Sequence, residues 1–99
     1  MKFINVTPHN IVLNDGTVFE TTDSVARVSA VYSQFAGGIC KQQFGEVTGL
    51  PDTIEDTMYI VSSIVLNASN RGDLVAPATG HPECVRENGR IVSVPGFVH

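Results

Sequence analysis

Lys2 to Val6 alternates polar and apolar residues well enough to predict an opening strand. Thr7-Pro8-His9-Asn10 ends it with a turn, because proline has no amide to give a sheet ladder. Ile11-Val12-Leu13 and Thr17-Val18-Phe19 then flank Asn14-Asp15-Gly16. Asp15-Gly16 predicts a two-residue hairpin turn with positive φ at both positions. From Val25 to Tyr32 the period is again two, with Val25, Arg27, Ser29 and Val31 on one face and Ala26, Val28, Ala30 and Tyr32 on the other. A strand buried on one side exposes the face that carries Arg27. Gln34 to Gly38 reads as a loop, and Ile39 to Val47 as a further strand in which Gly45, with Gly49 beyond it, marks a bend or a close approach.

Thr48 to Asp52 has turn chemistry, and Thr57 to Ser62 is the most apolar strand candidate, which predicts a central position. Ser62 or Ser63 caps a short helix over Ile64 to Asn70, where Ile64, Val65 and Ala68 recur at one-turn spacing. Asp73 to Ala76 is a short extended run stopped by Pro77, and Ala78-Thr79-Gly80-His81-Pro82 is turn-forming throughout. Cys84 to Glu87 and Arg90 to Val94 flank Asn88-Gly89, a strong hairpin signal that places Glu87 opposite Arg90 and leaves Arg86 the freer of the two arginines. These elements predict an α+β fold in one domain spanning residues 1–99, mainly an antiparallel sheet of hairpins with one short helix.

The length of 99 residues agrees with one domain, large enough to bury roughly 60–70% of its unfolded surface without staples. Only 16% of the residues are charged, below the usual quarter or so, and a surface so poor in charge favours a homo-oligomer. The net charge of −4 argues against a domain that grips long nucleic acid, which needs a basic face. It leaves room for a small anion held by one or two arginines.

The start, MKFINVTPHN, lacks the apolar core of a signal peptide, and no stretch approaches the roughly 20 apolar residues of a membrane span. A cytoplasmic location is expected, with no membrane partner. Cys40 and Cys84 then read as two separate thiols. In that setting the sequons at Asn5 and Asn67 carry no glycan, and Arg71-Gly72-Asp73 is no adhesion signal.

Three kinds of chemistry compete for the remaining residues. His81, Glu83 and Cys84 cluster, and His9 could join them, yet the paired spacings of zinc ligands are missing, so no metal or other cofactor is expected. Cys40 or Cys84 with His9 or His81 supplies the residue types of a thiol nucleophile without a telling spacing, so no catalytic residue is assigned. Anion recognition fits better. Arg27, Arg71 and Arg86 could converge with Thr7, His9, Ser62 and Ser63, because the arginine fork matches phosphate oxygens and Ser62-Ser63 would open a helix whose amides favour negative charge. Against this stands the simpler reading that the arginines are solvated or paired with Asp23, Asp73 or Glu83.

Asn5-Val6-Thr7-Pro8-His9, Val25-Ala26-Arg27-Val28, Phe44 to Pro51, Tyr59-Ile60-Val61-Ser62 and Asp73 to Pro77 together resemble the successive motifs of a family of small uncharacterised bacteriophage and prophage proteins. The resemblance runs through most of the chain in the same order. By analogy of setting it implies an anti-defence protein that sequesters a cyclic or ADP-ribose-derived immune signal. The expected ligand-binding set is His9, Arg27, Ser62, Arg71, Asp73, His81 and Arg86. Residues 71 to 86 would form a rim facing the Thr7-Pro8-His9 turn, where Arg71 and Arg86 hold phosphate and His9 and Asp73 contact base or ribose. One of Tyr32, Phe35, Phe44 and Tyr59 would stack, and a second copy would complete the pocket. Two alternatives remain open: an enzyme that cleaves such a signal through His9 or His81, and a protein-binding inhibitor of host machinery or minor virion component.

Overall fold

The computed structural model describes residues 1–99. Its elements are β1 (Lys2–Asn5), β2 (Ile11–Val12), β3 (Val18–Phe19), β4 (Arg27–Tyr32), β5 (Gln42–Thr48), β6 (Thr57–Ile60), α1 (Ser63–Ala68), β7 (Leu74–Pro77), β8 (Val85–Glu87), β9 (Arg90–Ser93) and β10 (Phe97–Val98). The α+β expectation holds at this level, with strands dominating and one short helix.

The pairing is less uniformly antiparallel than the hairpin signals predict. The principal sheet is mixed, in the order β1-β6-β7-β10. β1 and β7 both run parallel to β6, whereas β10 is antiparallel to β7. The reason lies between β6 and β7. Parallel neighbours need a crossover of roughly a dozen residues, and α1 with its flanks provides one. The short extended run expected at Asp73 to Ala76, stopped by Pro77, is therefore an inner strand, β7, which runs on through Pro77, and β6 takes the predicted central place.

Antiparallel pairing is confined to β7 with β10 and to the hairpins β2-β3, β4-β5 and β8-β9. In β8-β9 both turn residues have positive φ, 51° at Asn88 and 79° at Gly89, and Glu87 lies opposite Arg90 as expected. The β2-β3 turn differs from the expected form. Only Gly16 takes positive φ, the Leu13 carbonyl accepts the Gly16 amide at 2.9 Å, and the Leu13 amide donates to the Thr17 carbonyl at 2.8 Å, so the loop has three residues. The Asp15 carboxylate accepts the Thr17 amide at 2.9 Å, which holds its pKa below the usual carboxylate value.

Side-chain alternation divides the sheet into two packed faces. On one, Val6, Tyr59, Val61 and Leu74 meet Val65 of α1 and Ala26, with Ile4, Val28, Val47, Leu50 and Leu66 around them. On the other, Phe3, Phe19 and Phe97 form a triangle with ring centroids 5.5–5.8 Å apart. Phe19 thus ties the β2-β3 hairpin to the sheet. Ser62 caps α1 by accepting the Val65 amide at 3.4 Å, which agrees with the predicted cap.

Candidate functional site at the carboxyl edge of the parallel strands

Because β1, β6 and β7 run the same way, their carboxyl ends share one edge of the sheet. The segments that leave it are Thr7-Pro8-His9, Ser62-Ser63 and Ala78-Thr79. In open sheets with parallel strands this edge is where ligands are taken up.

The first of these segments is set by Asn5, a buried polar residue at the end of β1. Its Nδ2 donates to the carbonyls of His9 at 2.8 Å and Phe19 at 2.9 Å. Its Oδ1 accepts the Thr7 amide at 2.9 Å and lies 2.6 Å from the Thr7 hydroxyl. An amide side chain that makes four hydrogen bonds in a buried place holds the turn in one geometry and presents His9 to solvent.

Beside that turn, His9, Ile11, Pro77, Thr79, Ile91 and Val92 help to line a groove of about 280 Å³. His9 supplies the only aromatic ring and the only titratable side chain on its walls. Arg86, which is not among the groove's lining residues, donates through Nη2 to the carbonyl of Thr79, which is, at 2.8 Å. This single bond orients the guanidinium and leaves its other donors without a partner in the chain.

Arg71 and Asp73 have a different setting. Arg71 donates through Nε to Asp73 Oδ1 at 2.9 Å, through Nη2 to Asp73 Oδ2 at 2.6 Å and through Nη1 to the Pro51 carbonyl at 2.9 Å. Its guanidinium carbon also sits 5.7 Å from the centre of the Tyr59 ring. Hydrogen bonding within the pair pushes the Arg71 pKa up and holds that of Asp73 below the usual carboxylate value, each against an opposing effect of burial. Every nitrogen of this arginine is therefore occupied. The pair also precedes β7, while Thr79 follows it, a separation of at least roughly 10 Å at the rise of a strand. The expected clasp of Arg71 with Arg86, and the ribose contact from Asp73, give way to a structural staple.

The other expected residues are spread out. Arg27 opens β4 on the exposed face, opposite Thr48, as its alternation predicts. His81 is exposed in the turn after Thr79, where its Nδ1 accepts the Glu83 amide at 3.0 Å. Ser62 is on the carboxyl edge, but its hydroxyl serves the cap, and the helix it opens is only 6 residues long, too short for much of a dipole. Tyr59 is wholly buried and donates its hydroxyl to the Asp52 carbonyl at 2.8 Å, so it cannot stack on a ligand. No group of three or more His, Cys, Asp and Glu side chains converges anywhere.

Asn5 is the residue the sequence reading misses. Asn-x-Thr before a proline is the local signature of an Asx turn, a signal in the sequence that marks Asn5 as a turn-holding residue. A second hub had no local signal at all: Asn14 donates to the Glu83 carbonyl at 2.8 Å and accepts from the Ser93 hydroxyl at 2.6 Å, joining segments far apart in the chain.

Compared with known proteins, the chain matches no family model, no curated protein and no solved structure. No helix is long and apolar enough to cross a membrane.

Proposed function

We propose that this chain is a non-catalytic binding protein for a small anionic, nucleotide-derived ligand, held in the groove between His9 and Thr79. Arg86 is the anion contact and His9 the stacking or hydrogen-bonding group. The observation that carries this reading is the exposed Arg86 guanidinium, anchored by one bond to the carbonyl of the groove residue Thr79, with its remaining donors free. A fork oriented in advance loses little freedom when phosphate oxygens arrive. The groove is at the small end of ligand pockets, so it suits a phosphate with its ribose or base and not a whole dinucleotide. A homo-oligomer in the host cytoplasm, with copies sharing one ligand, fits that size. With His9 the only titratable group on the walls, retention is favoured over turnover. The phage-type resemblance supplies the ligand class: an immune signal such as a cyclic nucleotide or an ADP-ribose derivative, sequestered as an anti-defence measure.

The test is to incubate the purified chain with a panel of cyclic dinucleotides and ADP-ribose derivatives, remove free ligand, denature by heat and analyse what is released by mass spectrometry. The expected result is intact nucleotide from the natural chain and a loss of about tenfold or more in affinity for Arg86→Ala, as for a charge-assisted bidentate contact. Converted nucleotide would make the protein an enzyme. No retained nucleotide would remove the groove as a nucleotide site and favour a protein-binding role, for which the exposed apolar arm formed by β4 and β5 is the supporting observation.

A further inference from the structure

The β4-β5 hairpin leaves the domain while still carrying core-type side chains. At its base Val28 and Val47 face each other and pack on the core. An extra residue in β5 then shifts the register, so that Phe44 comes opposite Ala30 on the same face, and Tyr32 follows opposite Gln42. Beyond them Ala36 and Ile39 close the tip around Gly37-Gly38. Nothing in the chain covers this extension: Tyr32 is 61% exposed, Phe35 74%, Ile39 73% and Phe44 53%. Between Phe44 and Ile64 of α1 lies a groove of about 540 Å³, with Asn67 and Ala68 on its helical side.

The dimensions point the same way. The accessible surface is 6859 Å², whereas a folded monomer of 10.6 kDa has about 5,500 Å². The radius of gyration is 15.4 Å against about 13 Å for a compact chain of this length. The surplus, roughly 1,400 Å², exceeds the roughly 800 Å² per partner that a stable interface buries. A two-stranded hairpin with both edges unpaired is also marginal in water unless something covers it.

Charge identifies the occupant. From Val28 to Gly45 the only charged side chain is Lys41, although the whole chain carries −4. Two copies that repel each other elsewhere can meet across this arm without like-charge cost, while a partner of another kind finds no charge pattern to read. We propose that the β4-β5 arm is a self-association arm: two copies cross arms about a two-fold axis, and Phe35 and Ile39 of each enter the other's groove between Phe44 and Ile64. An isologous contact of this kind closes at two.

The test is the oligomeric state of the full chain by sedimentation across a micromolar concentration series. The natural chain is expected at twice the mass of one chain, and Val18→Lys, which changes an exposed apolar residue away from the arm, is expected to match it. Phe35→Lys with Ile39→Lys at the tip, and separately Ile64→Lys in the receiving groove, are each expected to weaken association by about tenfold or more. All three positions are exposed, so circular dichroism should show the fold unchanged. A natural chain that is monomeric throughout would mean that the arm is kept for a different protein, and it would overturn the proposal. So would an assembly larger than two, or a dimer that survives either variant at full strength.

Discussion

Asp73 shows how one side chain can change role between sequence and structure. Two residues from Arg71, it reads equally well as a ligand contact or as an ion-pair partner, and only the bidentate geometry decides for the pair. Because the folded-state pKa of Asp73 is depressed, chiefly by the hydrogen bonds from Arg71, the pair stabilises the protein above the ordinary carboxylate value of about 4 and loses that contribution as pH falls through the lower folded value. Asp73→Asn is expected to cost about 1.5–3 kcal/mol at pH 7, the range for a hydrogen bond to a charged group. Its urea midpoint should also fall less steeply between neutral and acidic pH than that of the natural chain. Some acid sensitivity should remain, since Asp15 is depressed in the same direction. An unchanged pH profile would remove the staple.

Among the elements, hairpins were readable where turn chemistry is strict and hidden where distance matters. Asn88-Gly89 specifies its own turn, because both positions need positive φ, and the resulting register is the predicted one. The Asp15-Gly16 turn kept its place but took a three-residue form, as Asp15 spends its carboxylate on the Thr17 amide. Gly49 marks the close approach its residue type suggested. With φ at +83°, it brings its α-carbon so near β4's approach that a Cβ would stand 2.3 Å from the Val25 carbonyl oxygen. Gly49→Ala is expected to destabilise the protein by at least about 2 kcal/mol, combining left-handed strain with a backbone clash. Gly16→Ala, with φ at +93° but open space around it, should cost only roughly 1–2 kcal/mol. Chemical denaturation of the two variants checks the difference, and equal losses would mean that the close approach carries no weight.

For the whole molecule the surface is large for its mass and the core small, with 15 of 99 residues buried. Stability that depends on covering the arm must depend on protein concentration, because association draws on the folded state alone. The melting temperature is therefore expected to rise with concentration for the natural chain and to stay level for Phe35→Lys with Ile39→Lys. A melting temperature independent of concentration in both would detach the arm from stability. The candidate ligand groove belongs to this scale too. It forms where β1 and β7 end on one edge and β2 and β9 close against them, which is why His9 and Thr79 were legible as residue types but their common edge was not.

Local rules account for what could be read along the chain. Alternation located most of the strands, turn residues placed the hairpins, and Ser62 marked the start of the helix, since each depends on neighbours a few residues away. Strand direction, the partner of Arg71, the burial of Tyr59 and the reach of the arm depend on which distant segments meet. A crossover through α1 set β6 and β7 parallel, and that one long-range choice separated Arg71 from Arg86 and brought His9 beside Thr79.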